Sequence, residues 1–278
     1  MIAHDDVPVA IRAIGLSKRF GDHVEVAGLD LSVANGELFS LLGPNSAGNT
    51  TTIKMLCCLL RPSGGTATIL GHDIEADPIA VKQVIGVSPQ ETAVAPNLNA
   101  WENLALMAGL HGMGKQRSHQ RAAELLEVTG LANRASDRAK QYSGGMQRRL
   151  SIAMALVSDP QVVFLDEPTI GLDPQARRGM WEYIAGLKGN KTIVLTTHYL
   201  EEADALADRV AVVDGGALVA LGTPAELKAG VEIEADDVSV YEFGDCLRPF
   251  GVEIRSTAVK HVSLDDVFLE LTGKELRE

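Results

Sequence analysis

Leu41-Leu42-Gly43-Pro44-Asn45-Ser46-Ala47-Gly48-Asn49-Thr50-Thr51-Thr52 decides how the rest of this 278-residue chain is read. The strand-like run Glu37-Leu38-Phe39-Ser40 precedes it, and the helix-like run Ile53-Lys54-Met55-Leu56-Cys57-Cys58-Leu59-Leu60 follows. Strand, glycine-rich loop and helix is the context in which backbone N–H groups form a concave nest for phosphate, aided by the positive end of the new helix. Gly43, Gly48 and Thr50 keep the spacing G-x-x-x-x-G-K-[ST], but the lysine position holds Asn49.

That break bears on chemistry more than on fold. Asparagine donates a hydrogen bond but brings no charge to the β- and γ-phosphates. A charge-assisted hydrogen bond contributes about 1.5–3 kcal/mol, a loss of roughly 10- to 150-fold in binding. Charge stabilisation in phosphoryl transfer can be worth roughly 10³–10⁵ in rate, so hydrolysis is expected to suffer more than binding. Ser46 is a second departure, at a position where glycine usually gives positive φ or close approach to phosphate. Lys54 lies about one and a half turns further along and is read as a surface lysine.

Working outward, residues 8–42 read as β-rich. Val9–Ile14, Val24–Val26 and Leu29–Val33 are strand-like, and Asn35-Gly36 carries a hairpin signal. Phe20 ends the first segment, either as a core or edge aromatic or as a platform for a purine ring. Downstream, Thr66–Leu70 and Val84–Ser88 are short strands. The second leads to Gln90, which is a polar loop residue or a group reaching a metal-bound water. Residues 97–141 lack strand signals and hold amphipathic stretches such as Trp101–Met107 and Ala122–Val128, the pattern of a helical insertion.

Ser143-Gly144-Gly145 precedes the helical run Met146–Val157. It is a plain N-cap or a second anion-binding helix end. The apolar strand Val162–Leu165 then stops abruptly at Asp166-Glu167-Pro168. Downstream of a phosphate loop, that pair suits one carboxylate for Mg²⁺ and one for orienting water. Gly171-Leu172-Asp173-Pro174 is a turn before a helix from Ala176 to Leu187. The buried strand Thr192–Thr197 ends at His198, a structural histidine or a γ-phosphate sensor. Residues 208–220 read as a hairpin and Pro224–Lys228 as a short helix with Thr223 as its cap. A boundary is placed near Gly230. Residues 231–278 form a small α+β appendage whose last helix, Leu264–Leu271, is capped by Ser263.

Together these motifs resemble the nucleotide-binding subunit of an ABC transporter over roughly residues 8–228. Tyr142-Ser143-Gly144-Gly145-Met146-Gln147 is similar to the family's signature, Leu165–Thr169 to its Walker B segment, Gly171–Asp173 to its D-loop and His198 to its switch histidine. The resemblance implies a P-loop NTPase core: a RecA-like mixed sheet flanked by helices, with an N-terminal antiparallel β subdomain and a helical insertion at about 91–145. It implies ATP and Mg²⁺ as cofactors. Phe20, Gly43, Pro44, Asn45, Ser46, Ala47, Gly48, Asn49, Thr50, Thr51 and Asp173 then fall at nucleotide-binding positions, with Ser143, Gly144, Gly145 and Gln147 facing the ATP of a second subunit. Thr50, Gln90 and Asp166 fall at metal positions, and Glu167, His198 and Gln90 at catalytic ones. Partners implied are transmembrane permease subunits and a second ATP-binding subunit, identical or not, packed head to tail. The tail Val262–Gly273 resembles ATPases of the daunorubicin-resistance and nodulation-factor export type.

Composition supports this class. The chain carries a net charge of -12 and no Lys/Arg-rich stripe, which argues against a nucleic-acid binder and against an ABC ATPase working on DNA or ribosomes. No apolar run approaches the ~18 residues of a membrane span, and no signal-peptide pattern begins the chain. A cytoplasmic protein held at the inner face of the membrane by a permease is expected. Cys57, Cys58 and Cys246 have no metal-ligand spacing and read as reduced thiols. Two functional readings stand: an exporter ATPase with impaired turnover, and a non-hydrolysing regulatory subunit paired with an active ATPase.

Overall fold

A computed structural model describes residues 8–44, 46–229 and 263–273. The expected strands at Val231 onward, and Asn45 and Cys246, lie outside the described residues. Two sheets organise the rest. Strands β1 (Val9–Phe20), β2 (His23–Ala34), β4 (Gly64–Ile69) and β5 (His72–Asp73) form an antiparallel sheet in the order β2-β1-β4-β5. Strands β3 (Leu38–Leu42), β6 (Ile85–Ser88), β7 (Val162–Asp166), β8 (Thr192–Thr197), β9 (Arg209–Asp214) and β10 (Ala217–Gly222) form the other in the order β10-β9-β3-β8-β7-β6. There β9, β3, β8, β7 and β6 run parallel and β10 returns antiparallel as a hairpin on Gly215-Gly216.

Parallel strands with both faces covered read as near-continuous apolar runs, and β3 and β7 do. Phe164 and Val194 point into a core shared with the antiparallel sheet, while Val163, Leu165, Ile193 and Leu195 join the opposite core, beneath the helices. The expected hairpin at Asn35-Gly36 does not form. β2 pairs back onto β1 through Gly21-Asp22, and Asn35-Gly36 carries the chain from one sheet to the other. Local turn chemistry cannot report which sheet the next strand joins.

Helices α1 (Asn49–Leu56) and α2 (Pro78–Val84) follow β3 and β5. The strand-free region holds α3 (Ala100–Leu110) and α4 (Lys115–Val128), followed by α5 (Gly144–Leu156). Asn99 and Glu102 close a capping box on α3, which fixes where that helix starts. Beyond lie α6 (Pro174–Ala185), α7 (Leu200–Leu206), α8 (Pro224–Ala229) and α9 (Leu264–Thr272). The last is boxed by Ser263 and Asp266 and stopped by Gly273 at φ 65°. Its Leu264, Val267 and Phe268 pack with Leu42, Leu200, Ala203, Val210 and Val212. Phe268→Ala removes a fully buried ring, so the docking of α9 is expected to weaken by about 3–5 kcal/mol. Loss of amide protection across Leu264–Thr272 in hydrogen exchange checks this.

Candidate functional site

Parallel pairing brings the chemistry to one edge. Leu42 pairs with Thr197 and Asp166 with Thr196, so the ends of β3, β8 and β7 lie side by side. Sites in open α/β sheets form at the carboxyl ends of strands. Here the phosphate loop leaves β3, the carboxylate pair leaves β7 and His198 leaves β8.

The loop is closely packed. A side chain at Gly43 would meet the Val213 carbonyl oxygen at 2.2 Å, and one at Gly48, whose φ is 86°, would meet that of Glu25 at 2.5 Å. Ala47 N–H donates to Pro44 at 2.8 Å and closes the turn. No side chain caps α1. Ser46 is exposed. Asn49 is buried and turned inward: Nδ2 donates to the Leu41 carbonyl at 3.4 Å, while Oδ1 is buried without a hydrogen-bond partner. Lys54 is exposed. Thr51 Oγ1 lies 3.5 Å from Glu25 Oε1 at the edge of hydrogen-bonding range.

Asp166 is buried at the end of β7 and accepts hydrogen bonds at Oδ1 from Thr50 at 3.0 Å and from Thr196 at 2.6 Å. Hard oxygen ligands of this kind fit Mg²⁺, which takes one or two protein groups together with phosphate oxygens. Among the described residues no group of three His, Cys, Asp or Glu could hold a metal by itself.

Glu167 is the next residue, and its backbone is strained at φ 51°. Its N–H is fixed by Thr196 Oγ1 at 3.0 Å, and its Oε2 lies 2.9 Å from His198 Nδ1. Burial pushes its carboxyl above the ordinary range, and the hydrogen bond and charge of His198 oppose that shift. A carboxylate with raised basicity, held against an imidazole, is suited to taking a proton from water.

Other sequence-predicted residues sit apart. Phe20 is half-exposed on the antiparallel sheet, with Lys18 Nζ 5.2 Å from its ring centre. Gln90 is exposed in the loop after β6, and its side chain makes no hydrogen bond to Thr50 or Asp166. Ser143 caps α5, its Oγ accepting from Met146 N–H at 3.3 Å. Gln147 turns inward to the carbonyls of Ala139 and Tyr142, at 3.3 and 3.4 Å. Asp173 caps α6 through Gln175 and Ala176. Ser143, Gly144, Gly145, Gly171 and Asp173 line a cleft of about 560 Å³ that includes no residue of the phosphate loop.

Sequence reasoning missed three groups. Thr196 shares Asp166 with Thr50. Arg148 is buried on α5, its fork on the carbonyls of Pro89 and Gln90 at 2.8 and 2.9 Å. Glu202 of α7 is fully buried and accepts from Thr169 at 2.9 Å and Trp181 at 3.0 Å, joining α6 to α7. Burial raises its carboxyl pKa. The only sequence signal for the last two was a charged residue on a helix face that buries its neighbours.

The family described as ABC transporter matches residues 26–170, just over half the chain. Daunorubicin resistance ATP-binding protein DrrA3 of Streptomyces coeruleorubidus is 40% identical, over 96% of this chain and 97% of the relative. Nod factor export ATP-binding protein I of Burkholderia lata is 38% identical, over 98% of this chain and all of the relative (100%). A solved structure of an ATP binding subunit of an ABC transporter superposes with a TM-score of 0.74 at 26% identity, over 95% of this chain and 99% of that one. A family match over more than half of the chain, relatives alike along nearly its whole length and a shared two-sheet fold show that the chain belongs to the ABC transporter family of ATP-binding subunits.

Proposed function

We propose that this chain is the ATP-binding subunit of a membrane exporter, that it drives a separate permease through ATP-dependent head-to-tail dimerisation, and that its own hydrolysis is impaired by Asn49 and Ser46. The observation that carries this is the separation of two anion-suited helix ends. The phosphate loop opens beside Asp166, whereas Ser143-Gly144-Gly145 lines a cleft with Gly171 and Asp173. In a head-to-tail dimer each end serves a different ATP. The names of the relatives, which concern drug resistance and Nod factor export, support an exporter. Among the described residues no helix is long and apolar enough to cross a membrane, which fits a subunit held at the inner face of the membrane by its permease.

In this reading Gly43–Thr51 cradle the phosphates, Phe20 stacks on the base, and Thr50, Asp166 and Gln90 hold Mg²⁺. The metal supplies neutralisation of phosphate charge. Glu167 accepts the proton of the attacking water, and His198 fixes that carboxylate. Asn49, held on the Leu41 carbonyl, leaves the phosphates without the usual cation. That favours one second reading, a nucleotide-binding regulatory subunit that lends its Ser143 turn to an active partner.

Light scattering of the purified chain with Mg-ATP, beside phosphate release, separates the two. ATP-driven dimers with slow release are expected. Dimers with no release at all move the assignment to the regulatory subunit. Absence of both ATP binding and dimers refutes the nucleotide reading.

A further inference from the structure

Arg148 is 4% exposed, and it spends both ends of its guanidinium on the backbone of one loop. Nη1 donates to the Pro89 carbonyl and Nη2 to the Gln90 carbonyl. A buried cation is costly to keep. Burial lowers its pKa, while Asp166, Glu167 and Glu202 offset this through space. A helix that needed only packing here would carry leucine. The surroundings make the contact stiff. A side chain at Gly86 of β6 would meet the Ala155 carbonyl of α5 at 2.0 Å, so strand and helix are in backbone contact. Ser88 Oγ and Ser151 Oγ then bond at 2.9 Å, one turn from Arg148. The start of the Gln90 loop is therefore gripped from two sides, by β6 and by α5.

We propose that Arg148 is the positioning residue that presents Gln90 to the magnesium of the nucleotide, by fixing that residue's carbonyl to the helix that begins at Ser143. The inference rests on the reading of Gln90 given above. It explains why the Gln90 side chain stands free while its backbone is bound: the backbone sets the position and the amide is left for the metal. Two parallel N–H donors on successive carbonyls hold a loop in one orientation, which a lysine point charge cannot do.

The test is the magnesium dependence of nucleotide affinity, titrated on the full chain with a fluorescent ATP analogue in Mg²⁺ and in EDTA. Arg148→Met keeps an unbranched stem that can fill most of the buried path and removes the donors. It is expected to shrink the Mg²⁺-to-EDTA affinity ratio about 10-fold while metal-free affinity stays within about twofold. Arg148→Lys is expected to recover only part of the ratio, and Gln90→Ala to lose it as Arg148→Met does. Should Arg148→Met fail to fold, Arg148→Gln carries the same measurement. An unchanged ratio in the Arg148 variants, with the ratio lost in Gln90→Ala, overturns the proposal alone. Equal weakening with and without metal makes Arg148 structural only and also overturns it. A Gln90→Ala chain that keeps the full ratio refutes the Gln90 assignment, and this inference falls with it. A parent chain that binds no analogue refutes the nucleotide reading itself.

Discussion

Asn49→Lys combined with Ser46→Gly is expected to raise phosphate release by roughly 10³–10⁵ over the unaltered chain, with affinity for Mg-ATP rising only about 10- to 150-fold. The asymmetry follows from where charge develops. A bound nucleotide keeps its backbone donors in either chain, whereas the transferring phosphoryl gains from a cation that Asn49 cannot supply. The remaining parts are in place: Thr50 on Asp166, Glu167 on His198, and glycine at both tight points of the loop. Asn49 makes one long hydrogen bond and leaves Oδ1 unpartnered, so its removal costs the fold little. Asn49→Lys alone is expected to account for most of the gain, because it supplies the missing charge and Ser46→Gly supplies none. Phosphate release by the three variants, two single and one double, measures this. Substantial turnover by the unaltered chain, left unchanged by lysine, would refute the role given to Asn49.

How much of this site was legible in the sequence follows from how its residues are distributed. The phosphate loop, the Asp166-Glu167 strand end and the Ser143 turn are contiguous words. Each is a run of adjacent residues whose local shape, a loop, a strand end or a helix cap, is written in the run itself, so reading the word locates the element. The strands around them were legible for a related reason: buried on both faces, they show as apolar runs at 38–42, 162–165 and 192–195. Asn35-Gly36 misled because it is a real turn, with Gly36 at φ 77°, yet the strand it leads to belongs to the other sheet. Arg148 and Glu202 were illegible because their partners lie far off in sequence. Arg148 grips a loop 58 and 59 positions away, and Glu202 bonds residues 33 and 21 positions away. Nothing on a helix face distinguishes a buried charge with distant carbonyl partners from a solvated one.

Glu167→Gln, placed in the Asn49→Lys, Ser46→Gly chain, is expected to lower phosphate release by roughly 10²–10⁴ while leaving Mg-ATP affinity within a few-fold. The amide has nearly the shape of the carboxylate, so the strained turn at φ 51° and the bond that the Glu167 N–H donates to Thr196 are untouched. An amide of the same shape also keeps the close approach to His198 Nδ1, which the carboxylate meets at 2.9 Å. What it cannot do is take a proton from water. The amide also carries no charge to desolvate, and burial is the larger influence on Glu167. The variant is therefore expected to melt no lower than its parent, which separates lost chemistry from lost fold. Because the ATP-bound state is no longer discharged, its dimer is expected to persist in light scattering after the parent's has decayed. If phosphate release is unchanged, Glu167 is not the base, and the contact with His198 must be read as structural. If release falls but the ATP dimer does not outlive the parent's, then hydrolysis is not what opens the interface.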